Sequence, residues 1–178
     1  MAIVGNFGDK SPQVGEGTYL ADTAVVIGDV IIGKRSSLWF GAVARGDVYY
    51  IRIGDETSIQ DNSVVHVTHG QNAAIIGSRV TIGHAVVLHG CTVADRCIIG
   101  MGSTILDRAE VGERCVVGAG SVVTPGTRIP PGTLAVGVPA RPKRDLTPEE
   151  LKWIESSADH YVELAAAYRK SVSTHLRR

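Results

Sequence analysis

The sequence predicts an all-β solenoid, a parallel β-helix, followed by one C-terminal α-helix. Three observations carry this reading. Aliphatic residues recur at six-residue steps: Val14, Leu20, Val26, Ile32, Leu38 and Ala44, then Ile53, Ile59 and Val65, then Ile76, Ile82 and Leu88. The series closes with Val93, Ile99, Ile105, Val111, Val117, Val123 and Ile129. A small or β-branched residue sits four positions after nearly every one, as at Ser36, Ser63, Cys97, Ser103 and Cys115. Glycine often follows the aliphatic residue directly, as at Gly54, Gly83, Gly100 and Gly118. Each hexad then forms one short side of a coil whose stacked turns bury a continuous core.

The elements follow in chain order. Three hexads per turn give three flat faces, and the aliphatic positions give roughly six turns. Each side is a short parallel strand, with stacked strands about 4.8 Å apart. The coil is expected over residues 1–137. Its register breaks three times: an insertion of three between Ala44 and Ile53, an insertion of five between Val65 and Ile76, and a deletion of one between Leu88 and Val93. Breaks in a repeat array mark candidate functional segments. Residues 138–146 read as a linker, held extended or turning by Pro139 and Pro142. A helix is expected over residues 147–170. Thr147 is its N-cap, Pro148 suits its first position and Glu150 completes a capping box. Leu151, Ile154, Ala158, Tyr161, Ala165 and Tyr168 make an apolar stripe for the coil or for another copy. His160 and His175 read as solvent-facing, and the tail after Lys170 is expected to fray.

Composition narrows the functions. The chain has 178 residues and zero formal net charge, so nothing favours nucleic acid or an anionic membrane. No stretch has the apolar length of a membrane span, and no secretory signal is visible at the start. Cys91, Cys97 and Cys115 lack the spacing of a metal knuckle and read as buried thiols of a cytoplasmic protein.

Register arithmetic organises the histidines. Val65 and Leu88 are three hexad steps apart, so His66 and His89 stack on one face, one turn apart. Two imidazoles so stacked can converge on one metal ion. His84 belongs to the preceding face, which a three-sided coil turns by about 120°. It therefore points away from that pair, and a third ligand must come from elsewhere. A threefold homotrimer would bring His84 of one chain to His66 and His89 of the next. Arg45 stacks one turn below His66. Asp61 stacks one turn below His84, with Gln60 beside it, and Asp47 sits at the adjoining corner. Arg45 with Asp61 or Asp47 is the candidate interface pair. His69 lies in the inserted loop, and Tyr161 on the helix stripe.

The strings Gln60-Asp61-Asn62-Ser63-Val64-Val65-His66, Gly83-His84, Leu88-His89-Gly90-Cys91 and Ala44-Arg45-Gly46-Asp47 resemble the γ-class carbonic anhydrases. The likeness covers nearly the whole chain. It implies a left-handed coil, where general rules for parallel crossovers favour the other hand. It also implies a homotrimer with a divalent metal at each interface. His66 and His89 match two ligands from one subunit and His84 the ligand from its neighbour. Gln60 matches a residue that holds metal-bound solvent, and Arg45 and Asp47 match an interface pair. Some relatives carry acidic residues on extended loops, including a proton-shuttling glutamate. Here Val48 follows Asp47, and residues 67–74 hold no carboxylate. His69 is then the candidate shuttle, with Tyr161 next in line.

The expected function is reversible hydration of CO2 to bicarbonate by metal-activated hydroxide. Three neutral imidazoles suit Zn2+, and also Fe2+ or Co2+. Two enzymatic alternatives stand beside it: a CoA-dependent acyltransferase, suggested by Gly137-Val138-Pro139-Ala140 after the coil, and a thioesterase using the same metal centre. A non-catalytic assembly subunit with a structural metal is the third.

Overall fold

The computed structural model describes residues 1–171. It is a left-handed parallel β-helix of about seven turns with one C-terminal helix. The inward columns are the predicted aliphatic residues. Val26, Ala44, Val65, Leu88, Ile105 and Val123 stack on one face and are fully buried. The turn beyond the expected six arises at the two ends. Ile3–Gly5 pairs with Val25–Ile27 below, and Thr133–Gly137 adds Ala135 to the column of Val117 above. Val4 lies off the hexad phase and Ala135 is small, so neither stood out in the pattern.

The small residue of each hexad has a structural cause. Its side chain points inward at a corner and donates to a carbonyl of the next turn. Ser36 Oγ donates to the Gly54 carbonyl at 2.8 Å, Thr57 Oγ1 to Gly77 at 2.7 Å and Ser63 Oγ to Gly83 at 2.7 Å. Cys97 and Cys115 occupy the same position, their thiols 3.0 and 2.9 Å from the carbonyls of Gly112 and Pro130. Buried hydroxyls are thereby satisfied rather than stranded. All three cysteines are free and buried.

The three faces differ outside. Tyr19, Ser37, Ser58, Thr81, Ile98, Val116 and Leu134 stand in register on the first. The C-terminal helix, Pro148–Ser171, covers that face. Ile154 packs on Ile98 and Val116, while Tyr161, Ala165 and Tyr168 pack around Tyr19 and Trp39. Arg79 pins the helix through Glu155 and Asp159 while also bonding Glu56 within the coil. The second face is mixed, with Gln13, Ile31, Arg52, Ile75, Thr92, Glu110 and Arg128 in one column. The third shows Val25, Val43, Val64, Val87, Thr104 and Val122 outward.

The helix start follows its sequence signal. The Thr147 amide donates to Glu150 Oε2 at 2.9 Å, and the Glu150 amide donates to Thr147 Oγ1 at 3.3 Å. Leu151 stays at the surface although it lies on the predicted stripe. Residues 138–146, read as a linker, contain a strand. Ala140–Asp145 pairs antiparallel with Thr133–Gly137, shifting register between Leu134 and Ala135. The extended backbone that the prolines favour can add to an open sheet edge. The three-residue insertion forms no loop: Val43–Ile53 runs as one strand around a corner, beside Val25–Ile32. Gly28 permits that stacking, since a Cβ there would collide with the Gly46 carbonyl. The five-residue insertion does form a loop, closed by pairing of Thr68 with Asn72. No helix among the described residues is long and apolar enough to cross a membrane. His175 and the tail from 172 lie outside the described residues.

Candidate metal centre

The two edges of the valine face carry the histidines. His66 ends the strand Val64–His66, His89 ends Val87–His89, and the two pair in register. Their rings lie 5.2 Å apart, with His66 Nδ1 3.2 Å from His89 Nε2. Each has a carboxylate at its other nitrogen. Asp47 Oδ1 is 3.2 Å from His66 Nε2, and Asp107 Oδ1 is 3.0 Å from His89 Nδ1. His84 follows the strand Thr81–Ile82 at the opposite edge. Its Nδ1 is 2.9 Å from Asp61 Oδ2. All three imidazoles are thus backed by an aspartate, the arrangement that orients histidine ligands in metal sites.

The carboxylates decide the tautomers. An ionised aspartate accepts hydrogen bonds and cannot donate them, so the ring nitrogen facing it carries the proton. His66 is left with a lone pair on Nδ1 and His89 with one on Nε2. These face each other at 3.2 Å. Two lone pairs at that distance repel unless a cation lies between them. Two nitrogens bound tetrahedrally to one zinc ion lie roughly 3.3 Å apart. The pair therefore fits a divalent metal. Among the described residues, no three His, Cys, Asp or Glu side chains of one chain converge on a single metal position.

Asp47 and Asp107 stay ionised. Burial pushes the Asp47 carboxyl upward, but hydrogen bonds from Arg45 and His66 outweigh it and hold the group below its ordinary range. At Asp107, burial is likewise outweighed by hydrogen bonds from Thr68 and His89.

The other candidate residues separate into groups. Arg45 pairs with Asp47 of its own chain. Arg45 and Asp61 are not brought together within the chain, since Asp61 turns to His84. Gln60 is buried and Tyr161 half-buried. Both line a cavity of about 420 Å3 between helix and coil, together with His84, Met101, Trp153 and His160. Tyr161 also packs edge-on against Trp39, and burial raises its hydroxyl pKa. His69 is exposed in the turn between Thr68 and Asn72. Asp107 escaped the sequence reading. The register arithmetic that set Asp61 below His84 also sets Ile105 one turn above Leu88, and Asp107 follows two residues later.

A fold of stacked hexads with paired, carboxylate-backed histidines defines a class of metal-binding hexapeptide-repeat proteins. Residues 73–107 match the family model "Bacterial transferase hexapeptide (six repeats)". The chain is 46% identical to a carbonic anhydrase of Geobacillus kaustophilus, over 90% of this chain and 87% of that one. It is 49% identical to the mitochondrial gamma carbonic anhydrase 1 of Arabidopsis thaliana over 92% of this chain, but spans only 61% of that relative's length. A solved Bacillus cereus structure, provisionally named an acetyltransferase, superposes with a TM-score of 0.92 at 42% identity, covering 94% of this chain and 97% of that one. The chain belongs to the γ-class carbonic anhydrase family.

Proposed function

We propose that this protein catalyses the reversible hydration of CO2 at metal centres shared between the subunits of a homotrimer. The observation that carries the reading is the facing pair of lone pairs, His66 Nδ1 and His89 Nε2, each backed by an aspartate. In the trimer His84 of a neighbouring chain completes the ligand set, its Nε2 left free by the Asp61 contact at Nδ1. The uncovered valine face, with His84 at one edge and the pair at the other, is the surface on which the chains meet. When bound, a divalent metal held by three neutral imidazoles supplies the Lewis acidity that ionises water near neutral pH. Zn2+ suits this donor set, as do Fe2+ and Co2+.

The remaining work falls to side chains. Asp47, Asp61 and Asp107 fix the three rings and keep the ligating nitrogens unprotonated. The Gln60 amide, buried beside His84, orients solvent and substrate by hydrogen bonding. Ile98, Met101 and Trp153 line the cavity there and offer CO2 an apolar approach. Arg45 and Asp47 steady the interface. A proton must leave at each turnover, and His69, an exposed imidazole in the inserted loop, is the acceptor assigned to it. His69→Ala should lower turnover at low buffer concentration, with added imidazole restoring it and metal content unchanged. Buffer-independent turnover in that variant would remove His69 from the path.

Anaerobically purified protein should contain about one metal per chain, hydrate CO2, and lose that activity to a chelator. A metal-replete trimer inert towards CO2 would refute the reading. One observation favours a second substrate class. The cavity of about 420 Å3 is far larger than CO2 requires, and would admit a thioester or other acyl group. Thioester hydrolysis by the same preparation tests this. A CoA-dependent acyltransferase using one histidine as general base would need neither the second imidazole nor its aspartate.

A further inference from the structure

The corner that carries His89 departs from the hexad on two sides. Leu88 to Val93 is one residue short, and Gly90 sits in the shortened segment with φ +55°. A Cβ on Gly90 would collide with Asp107 Oδ1 and press on the Asn72 side chain. The glycine therefore leaves the opening through which a carboxylate of the next turn reaches back. One turn below, the five-residue insertion supplies Thr68. Thr68 and Asn72 pair through their backbones at 3.1 and 3.4 Å, which fixes the Thr68 hydroxyl. That hydroxyl donates to Asp107 Oδ1 at 2.7 Å, and the same oxygen lies 3.0 Å from His89 Nδ1. Insertion, deletion and glycine together form one device, a chain of contacts from the loop through Asp107 to His89.

We propose that Asp107, locked by Thr68 and admitted by Gly90, is the positioning residue that keeps the His89 proton on Nδ1 and so opens Nε2 toward His66. The inference rests on the metal-centre reading above for its purpose, and on these contacts for its geometry. A neutral imidazole in water exchanges its proton between both nitrogens. A carboxylate that can only accept, at hydrogen-bond distance from one nitrogen, selects one form. An aspartate that merely braced the corner would not need to face the ring.

Two measurements test this. Long-range 1H–15N NMR of the metal-free full-length protein reads the His89 tautomer directly, and chelator competition with Zn2+ reads affinity. Wild type should hold the Nδ1–H form. Asp107→Ala should populate both forms and weaken Zn2+ about 10- to 100-fold, while sedimenting as wild type does. Thr68→Val keeps the carboxylate and should show a smaller loss, roughly several-fold. If Asp107→Ala fails to fold, Asp107→Asn preserves the volume with an uncharged acceptor and should still shift the tautomer balance. A wild-type His89 protonated on Nε2, or a proton that stays on Nδ1 in the folded variants, overturns the proposal even if Zn2+ binds. Conversely, a wild type that binds no Zn2+ but shows the Asp107-dependent Nδ1–H form upholds it and refutes the metal-centre reading.

Discussion

The helix-covered face and the valine face are built from the same hexads, yet they end differently. On the first, Ile98 and Val116 are buried beneath Ile154, and Thr81 shares a hydrogen bond of 2.9 Å with Ser157. On the second, Val25, Val43, Val64, Val87 and Val122 stand outward with no element of the described chain over them; Val87 is 37% exposed. The remaining face mixes Ile31 and Ile75 among Gln13, Arg52, Thr92, Glu110 and Arg128, so no apolar column runs unbroken where water is the neighbour. A column of outward apolar residues therefore marks a partner. For one face the chain carries its own in the C-terminal helix. For the other the described residues supply none, and the histidines lie along that face's edges.

The largest effect is expected on the valine face. Val64→Asp places an unpaired carboxylate in each proposed interface, at several kcal/mol apiece. We expect a folded chain that sediments as a monomer and has lost high-affinity metal. An intact, metal-bound trimer would mean this face is not where subunits meet. Ile154→Ala on the covered face should do the reverse, lowering stability by about 2–5 kcal/mol in denaturant unfolding without changing the oligomeric state.

A smaller effect concerns the anchoring of the helix. Hydrogen bonds from Arg144, then from the Thr147 amide, hold the Glu150 carboxyl at about 2, below its ordinary 4.5. A depressed folded-state pKa gives stability that is present above the ordinary value and fades as pH falls through the folded value. Melting curves of wild type and Glu150→Gln should differ at about pH 5 and converge near pH 2. A constant difference across that range would show that the ionised carboxylate is not what anchors the start of the helix.

Much of this was legible in the sequence because the repeat converts position into geometry. The spacing of Val65 and Leu88 was enough to stack His66 on His89, and Thr147 with Glu150 marked the helix start. Legibility failed where the chain left the hexad. Val4 and Ala135 extend the coil but are off phase or small. The strand Ala140–Asp145 is hidden because prolines mark extended chain without saying what it pairs with. The insertion before Ile53 became a strand around a corner, since bare glycines at Gly28 and Gly46 let two turns approach. Hexad spacing places Asp107 one turn above His89, but its contact depends on Gly90 opening the corner, which the spacing does not show.

Whether the metal centre is completed across the valine face is decided by mixing two defective chains. His84→Ala chains retain His66 and His89, and His66→Ala chains retain His84. Each alone should bind metal poorly. In mixed cyclic trimers, random assortment unites an intact pair with an intact His84 at roughly a quarter of the interfaces. Metal content, measured after separation from unbound metal, should return to about that fraction. Mixed trimers that regain none, or His84→Ala chains that bind metal as wild type does, would contradict it.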